Sequence, residues 1–196
     1  MRNSKLFKYG GIVASVILIA FGAGAIVMGA WGINTVRDNL KQEQIFFGDR
    51  ATDPAVPAGL SGKQVTTGSQ AHAFAGMMRT HALEATDGQV YAEMGRFLDS
   101  KGNATSDESK AAKDPTTGQP VENGKRNLWV TETALTTALN TAYFGERVGL
   151  FGIVMGIALL LTGMGFLVLL LIGGALQPAR ASDPAEPVLR QARATS

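Results

Sequence analysis

Two segments without a single charged residue, Tyr9 to Val36 and Val148 to Leu176, bracket a polar middle. Nothing else constrains the fold as strongly. A helix needs about 20 apolar residues to cross the ~30 Å hydrocarbon core of a bilayer, and both segments exceed that. The pattern predicts an all-α membrane protein: a two-transmembrane helical hairpin with helical stalks and a small extracytoplasmic cap. The first segment is far longer than the roughly 7–15-residue core of a signal peptide, and Met28-Gly29-Ala30 is a weak match to a cleavage site, so an uncleaved anchor is expected.

Charge sets the orientation. Arg2, Lys5 and Lys8 precede the first span with no acid among them, and Arg180, Arg190 and Arg193 follow the second against Asp183 and Glu186. The segment Arg37 to Arg147 carries 12 basic and 14 acidic residues, net −2. Lys and Arg excess beside a span marks the cytoplasmic side, while long loops cross largely regardless of charge. The expected organisation is therefore a cytoplasmic N-terminus at 1–8, a first span at 9–36, an extracytoplasmic domain at 37–147, a second span at 148–176 and a disordered cytoplasmic tail at 177–196. The positive excess lies at the chain ends, which is no nucleic-acid signature, so the expected partners are the lipid bilayer and other membrane-protein subunits. The location implied is the plasma membrane.

Beyond Val36, the residues Arg37 to Gln44 contain no helix breaker, so the first helix is expected to continue as a stalk. Asp53-Pro54, Pro57-Ala58-Gly59 and Gly62 then impose irregular backbone. Ser69 to Thr86 reads as a helix, with Ser69 as N-cap, Phe74, Met77, Met78 and His81 at i, i+3, i+4 and i+7, and Asp87-Gly88 closing it. From Asp99 to Asn127 almost nothing apolar is available for burial, which predicts a mobile insertion over 99–127. A helical rhythm resumes at Leu128-Trp129, continues through Leu135 and Leu139, and runs into the second span. Trp129 is expected to pack in the cap.

Small residues recur along one face of each span: Gly11, Ser15, Gly22, Ala25, Gly29 and Gly32 in the first, and Gly145, Gly149, Gly152, Gly156 and Gly163 in the second. In lipid, helices gain nothing from the hydrophobic effect, and small side chains let backbones approach closely enough for dispersion to drive association. Gly22, Ala25, Gly29 and Gly32 with Gly145, Gly149, Gly152, Gly156 and Gly163 are therefore the expected helix-packing interface. The stripes face either each other or a partner protein.

Chemistry is sparse. There is no cysteine, which excludes disulfides, thiolate catalysis and thiolate-held metals. The two histidines, His72 and His81, fall on different helical faces, and His81 with Glu84 is an incomplete metal site. Arg37 and Asp38 leave the first span where Glu146 and Arg147 enter the second, so crossed ion pairs are expected there, exposed and worth about 0–1 kcal/mol. No catalytic, cofactor-binding or metal-ligating set emerges, and no cofactor is expected. His81, Tyr91 and Glu93 remain as a possible interaction group in the cap.

Gly62-Lys63-Gln64-Val65, the stretch His81-Ala82-Leu83-Glu84-Ala85-Thr86-Asp87-Gly88-Gln89-Val90-Tyr91-Ala92-Glu93-Met94, and Thr133 to Leu139 resemble a group of actinobacterial two-span membrane proteins often labelled "aromatic ring-opening dioxygenase LigA". The chain differs from that group in its longer hydrophilic insertion between Phe97 and Leu128 and its extended C-terminal tail. The resemblance implies a two-pass plasma-membrane protein, and the label implies an oxidoreductase that cleaves aromatic rings at non-haem iron. Such a site needs a coordinating set such as two histidines and a carboxylate. Two histidines on different faces do not meet that need, so the residues point to a non-enzymatic accessory protein: a scaffold, assembly factor or small subunit of an envelope or respiratory complex. The alternatives are the oxidoreductase of the label and an extracytoplasmic ligand-binding module.

Overall fold

The computed structural model describes residues 2–175. The last residue of the expected second span, Leu176, and the expected tail at 177–196 lie outside the described residues. Three α-helices dominate: α1 (Arg2–Gln42), α2 (Gly68–Ala85) and α3 (Gly124–Ala175). Two short strands, β1 (Phe97–Leu98) and β2 (Ala104–Thr105), pair antiparallel with Phe97 opposite Thr105. Both α1 and α3 are long and apolar enough to cross a membrane, and only 11% of the most apolar window of each is buried.

With no breaker after Val36, α1 continues to Gln42 and ends where Gln44 turns into the left-handed region at φ 49°. The start of α2 differs from expectation: its N-cap is Thr67, not Ser69. The Thr67 hydroxyl accepts from the Gln70 N–H at 3.3 Å, and Gln70 Oε1 accepts from the Thr67 N–H at 3.1 Å, a reciprocal capping box. Three residues after Ser69 stands His72, so Ser69 cannot complete that box. At the other end Asp87 and Gly88 adopt φ 55° and 78°, and the Gly88 N–H donates to the Leu83 carbonyl at 2.7 Å.

The segment 99–127, expected to lack structure, is instead folded locally, and α3 begins within it at Gly124. The Leu98 N–H donates to Val121 O at 2.9 Å, Ala112 N–H to Leu98 O at 2.8 Å and Val121 N–H to Ala112 O at 2.9 Å. Aspartates hold the turns: Asp99 accepts from Lys101 and Asn103 N–H, Asp107 from Ser109, and Asp114 from Thr116 and Thr117. These bonds favour the charged carboxylate. The Asn103 N–H at Asp99, the Ser109 hydroxyl at Asp107 and the Thr117 N–H at Asp114 each hold the carboxyl below the ordinary aspartate value. An argument from apolar content misses this because Asx turns order the backbone without a core.

The chain divides into two compact units, one of residues up to Ala23 with those from Ile157 onward, the other Gly24–Gly156. The second unit contains the core. Leu40 of α1, Ala71, Ala75 and Met77 of α2 and Leu139 of α3 close around Phe47, Val56 and Val65 from the connecting segment, with Val56 and Val65 fully buried. Phe47 meets Phe74 edge to face at 5.2 Å. A second cluster joins Ala82, Met94 and Trp129, which is buried as expected. Along α3 as far as Ala142 the buried positions are Trp129, Glu132, Thr136 and Leu139. Leu128 and Leu135, expected on that face with Leu139, are 44% and 38% exposed. Two polar side chains on the true inward face conceal it from a reading of apolar spacing.

Candidate functional site

Within Gly24–Gly156, α1 and α3 run antiparallel in direct backbone contact. A Cβ on Gly29 would stand 2.5 Å from the Gly149 carbonyl oxygen and 2.9 Å from Ile153 Cγ1; one on Gly149 would stand 2.7 Å from Ile33 Cγ1 and 2.9 Å from the Gly29 carbonyl. No side chain larger than hydrogen fits either position. Gly145 lies 3.2 Å from Val36 by the same construction, and Gly152 more loosely at 3.6 Å from the Ala25 carbonyl. Gly156 is buried. Gly32 is off the seam, with nothing within 4 Å of the place its Cβ would occupy. The seam repeats every seven residues, so it passes from Gly29 to Val36 and leaves Gly32 on its flank.

The other unit repeats the device. A Cβ on Gly163 would lie 2.9 Å from both the Ser15 carbonyl and Ile19 Cγ1, and one on Gly11 would meet Leu170 at 2.9 Å. Ser15 and Gly22 are buried, and the Ser15 hydroxyl turns back to the Gly11 carbonyl at 2.9 Å.

Glu146 fixes the base of α2. Its Oε1 accepts from Arg37 Nε at 2.6 Å and its Oε2 from the Gly68 N–H at 2.7 Å, with its side chain only 13% exposed. One carboxylate thus ties α1, the positive end of α2 and α3 together. A Cβ on Gly68 would sit 2.6 Å from Glu146 Oε2 and 2.9 Å from Tyr143 Cα, so glycine is required for this approach. Of the crossed pairs expected here, only Arg37 with Glu146 forms. Asp38 binds Lys41 at 3.2 Å, and Arg147 lies 4.9 Å over the Tyr143 ring.

The possible interaction group His81, Tyr91 and Glu93 serves three separate purposes. His81 Nε2 lies 3.1 Å from the Asp53 carboxylate, and that hydrogen bond, ahead of the Ala55 N–H, holds the Asp53 carboxyl below its ordinary value. Glu93 accepts from the Val90 N–H at 2.9 Å within its own turn. Tyr91 supports Arg126, whose guanidinium lies 4.1 Å over its ring. His72 is elsewhere again, with Nδ1 2.7 Å from Asn140 Oδ1 and its ring stacked on Tyr143. Among the described residues no three His, Cys, Asp or Glu side chains converge on a common point. Each histidine is engaged by a different partner, which does not fit the donor set of a ring-cleaving iron.

Three features escape a reading of the sequence. Glu132 is buried on α3 with Arg79 3.2 Å from its Oε2, and Arg79 also lies 4.5 Å over Trp129. A groove of about 540 Å³ opens between α1 and α3 beside Val36, Leu40, Leu135 and Leu139. A cleft of about 420 Å³ is lined by Arg96 and Arg126 together with Tyr91, Phe97 and Glu122. The only sequence signal for the cleft is Lys125-Arg126 at a helix start, where acids are the usual choice. Comparison with protein-family models, with curated proteins and with solved structures finds no match to this chain.

Proposed function

We propose that this chain is a two-pass plasma-membrane protein, a hairpin of α1 and α3 with both termini cytoplasmic and residues 37–147 outside as stalks and cap. It acts as a non-enzymatic accessory protein, a scaffold or small subunit that joins other membrane proteins. One observation carries the membrane reading. Within 9–36 the buried residues are Ser15, Gly22 and Gly29, and within 148–172 they are Gly149, Gly156 and Gly163, while Phe21, Val27, Trp31, Phe151 and Leu169 are each at least 64% exposed. Small inside and large apolar outside inverts the arrangement of a water-soluble helix pair. Lipid is the solvent that tolerates it, because an apolar surface of this extent in water drives association.

Tyr9, Trp31 and Tyr143, near the span ends, suit the headgroup layer, where amphipathic rings partition. The resemblance to actinobacterial two-span proteins agrees with this placement. An outer surface of bulky side chains along both helices, with the small residues already used internally, leaves the lipid-facing sides free for partner helices.

The test is an alkaline phosphatase fusion at Lys110 combined with mild-detergent purification of the full chain. The fusion is expected to be active outside the cytoplasm, and the chain to co-purify with other membrane proteins in fixed ratio. A cytosolic Lys110 overturns the topology, and a solitary monomer overturns the accessory role. Stoichiometric iron in the purified protein would return the oxidoreductase reading.

A further inference from the structure

The cleft at Arg96 and Arg126 carries a net positive charge, two guanidiniums against the single carboxylate of Glu122. Among the described residues neither guanidinium pairs with a carboxylate or donates a side-chain hydrogen bond, and Arg126 Nε is shut off from solvent without an acceptor. Glu122, the one acid at the cleft, accepts from Asn127 Nδ2 at 2.8 Å and forms no ion pair with either arginine, so it offsets only part of their charge. Each arginine is held over an aromatic ring, Arg126 4.1 Å above Tyr91 and Arg96 5.3 Å above Phe97.

The position of Arg126 makes the imbalance worse. It lies in the first turn of α3, a turn with no acidic residue, where unpaired N–H groups already give the helix end a positive potential. Lys125 beside it is paired with Asp87, which leaves Arg126 as the uncompensated cation. Arginine stacked on a ring often does no more than cover apolar surface. Such a cover needs neither a buried, unpartnered Nε–H nor a cation at the positive end of a helix, and both weigh against that role here.

We propose that this cleft binds a small organic oxyanion, a carboxylate or phosphate ester on an apolar or aromatic body. Guanidinium forks such as those of Arg96 and Arg126 suit an oxyanion, and the ring beneath each limits the freedom it loses on binding. Tyr91 and Val130, both exposed, offer a small apolar surface to the body of the ligand, while Phe97 is buried beneath Arg96, and about 420 Å³ is the size of a small-molecule site. The proposal goes beyond the accessory role, and every residue involved lies within Gly24–Gly156.

Calorimetric titration of the full chain in a neutral detergent tests it, with benzoate, phenyl phosphate and uncharged benzyl alcohol as probes. At least one of the two anions is expected to saturate a single site, and which one does separates a carboxylate ligand from a phosphate. Benzyl alcohol is expected not to bind over the same range. Arg96→Gln and Arg126→Gln should each weaken anion binding about tenfold, while exposed Lys101→Gln leaves it unchanged. Failure of both anions to saturate, or equal binding of benzyl alcohol, overturns the assignment with the wild-type chain alone. So does an equal loss in Lys101→Gln, or unchanged affinity in both arginine variants at wild-type helicity.

Discussion

Between Gly24 and Gly156 the same two helices meet in two ways. At Gly29 and Gly149 they touch backbone to backbone, with no room for a methyl group. Beyond Val36 they close, with α2, around Leu40, Phe47, Val65, Met77 and Leu139. The first contact depends on removing side chains and the second on filling space with them. That contrast is what the proposed membrane placement would require of one helix pair, since dispersion at close range is the remaining attraction in lipid, whereas burial of apolar area drives packing in water.

The comparison breaks first at Gly29. Leucine there has to displace the Gly149 carbonyl, so the pair must separate locally, and a loss of about 3 kcal/mol or more is expected in detergent unfolding. Retained stability would show that the seam yields. The reverse change sharpens the other half: Val65→Ala removes two methyl groups from a fully buried site and should cost about 2 kcal/mol by the same measurement. If small-to-large hurts only at the seam and large-to-small only in the core, the two packing modes are distinct.

Glu146 stands between the regions. Its replacement by alanine deprives the Gly68 N–H and Arg37 of their acceptor, and a loss of about 1–2 kcal/mol is expected, most of it from the helix end because Arg37 is half exposed. Hydrogen exchange at the start of α2 should rise in that variant before exchange anywhere in the seam. Asp53 gives a smaller, acid-dependent effect. Its carboxyl is lowered chiefly by the His81 hydrogen bond, so the stabilisation exists above the unfolded-state value and is lost as pH falls through the folded one. In His81→Leu, the carbon-13 titration of the Asp53 carboxyl should move up toward its ordinary 3.8. The least effect belongs to Gly32→Ala, which meets nothing and should change stability by no more than about 1 kcal/mol, in the stabilising direction. A large loss there would place Gly32 back on the seam.

The legible parts of the fold were those written in local pattern. Continuous apolar runs fixed the two long helices, the lack of a breaker after Val36 carried α1 to Gln42, and Asp87-Gly88 ended α2. Of the small residues expected to pack, Gly22, Gly29, Gly149, Gly156 and Gly163 are buried, whereas Ala25, Gly145 and Gly152 are only partly so. Gly32 shows the limit: spacings of three and four identify a broad face, and only the partner backbone selects which positions within it touch. In the candidate site the arginines stayed hidden because Arg96 and Arg126 are thirty residues apart, with Arg126 in a segment whose composition reads as disordered.

Sequence alone determined where the chain is apolar, where it turns and which residues are too small to obstruct a neighbour, because these properties belong to a residue and its near neighbours. Tertiary structure decided what faces what. It turned Glu132 and Thr136 inward while leaving Leu128 exposed, gave Glu146 a helix end to bind, ordered 99–127 around three aspartates, and brought two arginines to one cleft. Those outcomes depend on contacts between groups far apart along the chain, and the energy of such a contact is not contained in either group by itself.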